Sequence, residues 1–277
     1  MLATALVPLL ERVLPRVPKA LVPPLSELIG TLAYLAAPGP RAAVRANQLQ
    51  IAPGRRPRVR RTFVSQVRNY FETFRVLRSS VEEMRRDIDV EGFEAFEEIA
   101  RRGKGAVMAS AHFGPVVVCG NVFIAHGYPV TLPVEKEKDE FARAVNRART
   151  ALGIRFVETD QAFGIARLLR KGGVLGVLAD RAVTGVGERV EFFGKPALLP
   201  SGPMSLALRT GAAFMPAFAY RRNGRLVAVF DRELVLERTG DHQADLLAGM
   251  RQFARVMEKH IGSAPEEWVV FERMWDR

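Results

Sequence analysis

The chain has a single cysteine, Cys119, among its 277 residues. One thiol cannot form an internal disulfide framework or a cysteine-based zinc site, and it fits a reducing compartment. Histidine is also scarce, with four residues, and no metal-ligand spacing is present, so no metal is expected. No nucleotide-binding glycine motif occurs. The stretch TGVGERVEFFGKP carries Gly185, Gly187 and Gly194 but lacks P-loop spacing and a Lys-Ser/Thr pair. No cleavable signal peptide is expected at the N-terminus. It is apolar, yet Glu11, Arg12, Arg16, Lys19, Glu27 and several prolines interrupt it. The longest clean run falls well short of the roughly 20 residues a spanning helix needs. Internal repeats, low-complexity segments and dividing linkers are absent as well.

What is present is a core-forming, basic chain. Hydrophobic residues make up 48%, and 41 Lys and Arg face 30 Asp and Glu, for a net charge of +11. An anionic partner is implied: a phospholipid surface, a phosphorylated substrate or nucleic acid. The arginine excess suits phosphate, and it equally suits a compositional bias. Between Met1 and Arg61 ten basic residues stand against Glu11 and Glu27. An interrupted apolar segment followed by GRRPRVRR is what an anionic leaflet attracts. Residues 1–60 are therefore expected to be a membrane-associating helical extension, with two short amphipathic helices broken near Pro23-Pro24. Packing on the protein body is the alternative. Nucleic acid is not expected as a partner, because the basic residues are not interleaved with stacking aromatics.

Residues 61–277 read as one α/β domain. Helical spacing of Phe63, Val67, Phe71 and Phe74 predicts a helix from Arg60 to about Arg85. From Gly105 buried strands alternate with helices: GAVMASA, YPVTLPV, IRFVET and VLGVLAD as strands, with PVVVCGNVFIAHG, DEFARAVNRARTALG and QAFGIARLLRKGG between them. The stretch from Arg181 to Pro203 reads as a long functional loop. A helix, further strands split near Asp231 and a long amphipathic helix complete the chain. The expected fold is a mixed, mostly parallel central sheet flanked by helices, plus the N-terminal amphipathic extension.

His112 follows a buried strand, where open α/β sheets place their sites. A neutral imidazole there could take a proton from an alcohol; a satisfied structural histidine is the plain alternative. His126, His242 and His260 fall on helix ends or polar helix faces and read as structural. Cys119, two helical turns after His112, reads as a buried helix thiol rather than a nucleophile.

Five stretches, in order, resemble the lysophospholipid acyltransferase-like family of the lipid A biosynthesis (lauroyl/myristoyl) type, which includes the phosphatidylinositol mannoside acyltransferases. They are RAAVRANQLQIAP, SAHFGPVV, NRARTALGIRFV, the block from LADRAVTG to FAYR, and PEEWVVFERMW. The resemblance implies acyl transfer from an acyl carrier protein or coenzyme A thioester to a hydroxyl of a glycolipid or phospholipid. It implies no bound cofactor, and work at the cytoplasmic face of the bacterial inner membrane. By position, His112 would be the base, with Arg149 and Asp180 as further catalytic residues. Phe113, Gly114, Arg181, Phe193, Gly194, Ser201 and Gly202 would contact substrate. The N-terminal helices, or the helix of Tyr70, Phe71 and Phe74, could line an acyl groove; ordinary core is the other reading.

The chain departs from the family motif at one position. The carboxylate expected five residues after the histidine is Val117. Three readings follow. Another carboxylate serves His112 from across the crevice, with Asp180, Glu135, Glu188 and Glu191 as candidates. Alternatively His112 works alone and slowly, or the protein is a catalytically impaired family member that binds acyl-lipid without transfer.

Overall fold

The computed structural model describes residues 12–75, 79–134, 150, 153–158, 161–182 and 185–275. After two short 3-10 turns (Leu14–Arg16 and Lys19–Leu21), α1 (Val22–Ala36) is followed by α2 (Pro38–Ile51) and α3 (Val59–Arg75). The expected break at Pro23-Pro24 is not there. Both prolines sit in the first turn of α1, where their missing N–H groups leave no bond unmade. The chain bends at Ala37 instead, ahead of Pro38. The predicted helix from Arg60 to Arg85 is two helices. α3 is described as far as Arg75, Ser79 and Ser80 are not helical, and α4 (Val81–Asp87) starts anew from Ser80, whose hydroxyl accepts from the Glu83 amide at 3.2 Å. The Glu83 carboxylate accepts in return from the Ser80 amide at 2.9 Å, completing a capping box.

The α/β body begins with β1 (Ile88–Glu91), α5 (Phe93–Arg101), β2 (Ala106–Ser110), α6 (Val117–Ala125), β3 (Val130–Val134) and β4 (Arg155–Glu158). It continues with α7 (Ala162–Arg170), β5 (Val174–Leu178), β6 (Glu188–Phe192), β7 (Lys195–Leu199) and α8 (Gly202–Thr210), then β8 (Ala213–Arg222), β9 (Arg225–Phe230) and α9 (His242–Ser263). Seven strands form one sheet in the order β1-β9-β8-β2-β5-β3-β4. Every pair is parallel except the β8–β9 hairpin. The mixed, mostly parallel sheet flanked by helices is thus as expected. The predicted helix DEFARAVNRARTALG falls almost wholly outside the described residues.

Two corrections concern the second half. The supposed long loop from Arg181 contains the antiparallel hairpin β6–β7. Its inward residues Val190, Phe192, Ala197 and Leu199 are all buried, the period-2 pattern of a half-buried hairpin. After Phe230 no further strand forms among the described residues; residues 231–239 run in irregular backbone.

The sheet separates two cores. Val107, Ala109, Ala111 and Phe113 face α8 and α9 together with Phe214, Phe253 and Met257. Ala106 and Met108 face α5 and α6 together with Phe93, Phe96 and Phe123. Successive side chains in an extended segment point to opposite faces. That alternation continues past the end of β2, and it decides where His112 and Phe113 point.

Candidate active site

β2 and β5 are neighbours and run in parallel register, with Ala106 opposite Val174 and Ser110 opposite Leu178. The pairing carries on past the strand ends: the Ala179 amide donates to the Ser110 carbonyl at 2.8 Å. One residue further, the same offset brings His112 and Asp180 together at the carboxyl edge of the sheet. The His112 Nδ1 lies 2.8 Å from Asp180 Oδ1, and the His112 amide donates to Asp180 Oδ2 at 3.0 Å. The indole Nε1 of Trp268 donates to the same Oδ2 at 2.8 Å.

Asp180 is fully buried. Burial alone would push its carboxyl up, but the charge of His112 and the hydrogen bonds from His112 and Trp268 outweigh it and hold the group below its ordinary value. Asp180 is therefore an ion at neutral pH and can only accept. The proton between it and His112 belongs to Nδ1, so in the neutral imidazole the Nε2 lone pair is free. Of the carboxylates proposed from sequence, Asp180 is the one bonded to His112. Glu188 and Glu191 lie on β6 and Glu135 is outside the described residues.

The segment that carries His112 is held on three sides. The Gly114 amide donates to the Glu267 carbonyl at 2.8 Å, and the Val269 amide donates to the His112 carbonyl at 2.8 Å. Phe113 and Trp268 form an isolated antiparallel bridge. From α3, Asn69 Nδ2 donates to the Gly114 carbonyl at 3.0 Å, and the Asn69 carbonyl-type Oδ1 accepts from Arg221 at 3.1 Å. Burial pushes the Arg221 guanidinium down to about 10, against the pull of Glu267. Gly114 adopts φ +57°, and a Cβ there would stand 2.1 Å from the Ala219 carbonyl oxygen, so only glycine fits.

His112 opens onto a cavity of about 470 Å³. Met108 and Ser110, the alternate residues of β2, form one wall with Gly176 and Leu178 of β5; Val117, Cys119 and Phe123 of α6, with Val116 just before it, form another. Leu132 of β3 and Leu206 of α8 add to it. The space explains why the last three residues of β5 are only half-buried, although the sequence reads as a fully buried strand. Among the described residues the cavity walls are mostly apolar. Arg181 is the one cation lining it among the described residues; its Nη1 donates to Glu272 at 3.0 Å. Gly202, in the first turn of α8, is also at the wall.

The remaining sequence candidates divide. Arg181 and Gly202 line the cavity; Ser201, the residue before α8, lies between the wall residues Pro200 and Gly202. Arg149 lies outside the described residues. Phe113 is corrected: it has the parity of Val107, Ala109 and Ala111, is wholly buried, and packs edge-on to Phe218 and Tyr220. Phe193 and Gly194 are also placed elsewhere. They are the turn of the β6–β7 hairpin, both at positive φ, the pair a twisted two-residue turn requires. The Phe193 amide is held by the Glu258 carboxylate, and its carbonyl accepts from Gln50 at 2.8 Å. Tyr70, Phe71 and Phe74 do not line the cavity, and Phe71 and Phe74 are buried core residues. Trp268, Asn69 and Glu267 were missed as site residues. The only signal in the sequence was the tryptophan of the C-terminal tail motif.

The other histidines and the thiol are structural in their surroundings. His260 pairs with Asp231 at 2.7 Å and stacks on Phe218 at 4.1 Å. Cys119 is buried, and burial pushes its thiol up to about 12, which leaves no thiolate for nucleophilic work. No cluster that could hold a metal occurs among the described residues.

Residues 3–277 match the family described as bacterial lipid A biosynthesis acyltransferase. The chain is 26% identical over 218 residues to a phosphatidylinositol mannoside acyltransferase of Mycobacterium tuberculosis, covering 75% of this chain and 67% of that one. It is 26% identical over 234 residues to the protein of the same name from Mycolicibacterium smegmatis, covering 78% and 72%. The crystal structure of the 1-acyl-sn-glycerophosphate acyltransferase PlsC from Thermotoga maritima superposes with a TM-score of 0.39 at 14% identity, over 84% of this chain and 97% of that one.

Proposed function

The chain belongs to the bacterial lipid A biosynthesis acyltransferase family, and on that premise we propose that His112 and Asp180 form the dyad of an acyltransferase. The enzyme moves a fatty acyl group from an acyl carrier protein or coenzyme A thioester to a hydroxyl of a membrane glycolipid or phospholipid. The observation that carries this reading is the Nδ1–Oδ1 hydrogen bond of 2.8 Å, made at the mouth of an apolar cavity.

The chemistry follows from the geometry. Asp180 fixes the tautomer, so Nε2 accepts the proton of the acceptor hydroxyl as its oxygen attacks the thioester carbonyl. The imidazolium that forms is balanced by the buried carboxylate. It then returns the proton to the departing thiolate as the tetrahedral intermediate collapses. Arg181 and the N-terminal end of α8 are the positive groups at the cavity wall, suited to the developing oxyanion or to substrate phosphate. The apolar cavity takes the acyl chain. Work at the cytoplasmic face of the inner membrane fits the basic, apolar N-terminal region. The alternative of a member that binds without transfer rested on a histidine without a carboxylate, and Asp180 supplies one.

The test is acyl transfer by purified wild type and His112→Ala, with labelled long-chain acyl-CoA or acyl carrier protein and a total lipid extract. A labelled lipid formed by wild type and reduced by at least about 100-fold in the variant is expected. Equal turnover by both would refute the assignment of the base.

A further inference from the structure

Two motifs of the sequence, RAAVRANQLQIAP near the N-terminus and PEEWVVFERMW near the C-terminus, meet in the structure. After the bridge at Trp268 the tail runs to Trp275 without entering a helix or a strand. Its backbone groups therefore need partners from outside regular structure. Asn47 of α2 provides three. Its Nδ2 donates to the Val270 carbonyl at 3.3 Å and to the Glu272 carbonyl at 2.8 Å, and its Oδ1 accepts from the Met274 amide at 3.1 Å. These are alternate residues, the spacing at which an extended segment turns its backbone groups to one side. Asn47 is itself buried, so the amide acts as a clamp held inside the fold.

The clamp fixes the tail between its two contacts with the site. Upstream, Trp268 donates to Asp180, and the Val269 amide donates to the His112 carbonyl. Downstream, the Glu272 carboxylate accepts from Arg181 Nη1 at 3.0 Å. Asp180 and Arg181 are consecutive, so one tail supports both the carboxylate of the dyad and the cation beside it. Arg181 lines the cavity, and its Nε–H is buried with no acceptor among the described residues. A buried donor without a partner is costly, and an oxygen arriving on the substrate removes that cost. The side chains of Arg181 and Glu272 are 26% and 32% exposed, and an ion pair so open to water contributes little to folding. What the pair does supply is a fixed direction for the guanidinium.

We propose that Glu272, carried by the Asn47 clamp, is the positioning residue of Arg181, and that Arg181 so directed donates its free Nε–H to the oxyanion of acyl transfer. The inference rests on the proposed acyl transfer and deepens it, because it gives Arg181 to the reacting carbonyl rather than to a substrate phosphate. As the acceptor oxygen bonds to the thioester carbon, the carbonyl π pair moves onto its oxygen and Arg181 meets that charge. The pair then returns to re-form the carbonyl, the C–S bond breaks, and the thiolate takes the proton held by His112. Arg181 keeps its own protons throughout.

A double-mutant cycle in steady-state acyl transfer tests it. Arg181→Ala is expected to lower kcat about 100-fold with KM for the acyl donor steady, the size of losing one oxyanion donor. Glu272→Ala is expected to lower kcat about tenfold, because a guanidinium out of line stabilises the transition state less. Its melting temperature is expected to stay within about 3 °C of wild type. Glu272→Gln keeps an acceptor for Nη1 and is expected to recover most of the loss. In the Arg181→Ala background, Glu272→Ala is expected to cost less than about twofold more. Asn47→Ala is expected to show the same dependence on Arg181; if that variant does not fold, the Glu272 cycle alone decides. Equal losses from Glu272→Ala with and without Arg181 would make Glu272 a structural residue and overturn the inference. So would a loss carried by KM with kcat unchanged, which would put Arg181 on a substrate phosphate. Transfer untouched by His112→Ala sinks the catalytic reading and this one with it. Transfer abolished by His112→Ala but untouched by Arg181→Ala sinks only the roles of Arg181 and Glu272.

Discussion

Replacing Asp180 by asparagine changes one buried atom and tests the dyad directly. All three groups that face the carboxylate are donors: the His112 amide and Trp268 Nε1 on Oδ2, and His112 Nδ1 on Oδ1. An amide has one acceptor oxygen. Placed at the Oδ2 position, that oxygen keeps two hydrogen bonds, and the NH₂ then faces Nδ1. The reverse orientation would set a donor against two donors and is worse. In the favoured orientation the amide donates to Nδ1, and the imidazole carries its proton on Nε2. The base is then blocked where it must accept. The side-chain volume is nearly unchanged, the His112 amide and Trp268 Nε1 keep their acceptor, and one amide N–H is left without a partner, so the fold should persist at a modest cost in stability.

The expected loss in kcat is of the order of 10⁴, the size that follows when the aspartate behind a catalytic imidazole is replaced by its amide. That corresponds to about 5.5 kcal/mol of transition-state stabilisation. KM for the acyl donor should hardly move, because the cavity walls are untouched. The assay is steady-state transfer of labelled acyl groups, with thermal melts to confirm an intact fold. A kcat for Asp180→Asn within tenfold of wild type would refute the argument. Val117, Glu188 and Glu191 offer no replacement hydrogen bond to His112 among the described residues.

Other perturbations follow from the same geometry. Trp268→Phe keeps an aromatic ring but trims the buried indole and removes one bond to a buried ion, worth roughly 1.5–3 kcal/mol; kcat should fall at least about tenfold with KM steady, as initial-rate kinetics would show. Val117→Glu puts a carboxylate into the apolar wall of the cavity, so it should raise KM for long acyl donors without raising kcat. Cys119, its thiol pushed up to about 12 by burial, should resist a thiol reagent at pH 8 in the native protein and react at once on unfolding. The Asp180 carboxyl lies below its ordinary value in the folded state. The stability its ion contributes is therefore fully present above the unfolded aspartate's value and lost as pH falls through the lower folded one. The melting-temperature gap between wild type and Asp180→Asn should hold steady down to about pH 4 and change only below it.

Much of the fold could be read from pattern. Buried runs such as AVMAS and VLGVL, set between helix-length amphipathic segments, have one economical arrangement, a parallel sheet covered on both faces. The errors were local and share a cause. Proline was read as a breaker at Pro23-Pro24, although a first helical turn tolerates it. The hairpin β6–β7 was read as loop because its turn is Phe193-Gly194, a combination that places a bulky residue at positive φ and resembles no ordinary turn pair. Glu258 and Gln50, distant in sequence, hold that turn. Distant residues also supply the setting of α1, whose Leu28, Leu32 and Leu35 are exposed. Its small-residue face, with Ser26 and Gly30, is buried only because α3 lies against Gly30, a contact that hydropathy alone does not reveal.

The partner of His112 illustrates the same limit more sharply. The segments AVMASAH and VLGVLAD have equal length from strand start to polar residue, and with β2 beside β5 in register that equality puts His112 opposite Asp180. The sequence contains the two segments but not their adjacency, because β3 and β4 intervene in the chain while lying outside the pair in the sheet. Asp180 therefore stood level with Glu135, Glu188 and Glu191 until the strand order was known. The arrangement has a consequence for the cavity. A carboxylate placed five residues after the histidine would occupy the first turn of α6, a turn that here presents Val116 and Val117 to the cavity. With the carboxylate carried by the end of β5 instead, that turn is apolar and the cavity wall continues unbroken up to His112. On the proposed function, an acyl chain lies against α6 next to the reacting thioester without desolvating a charge on that helix.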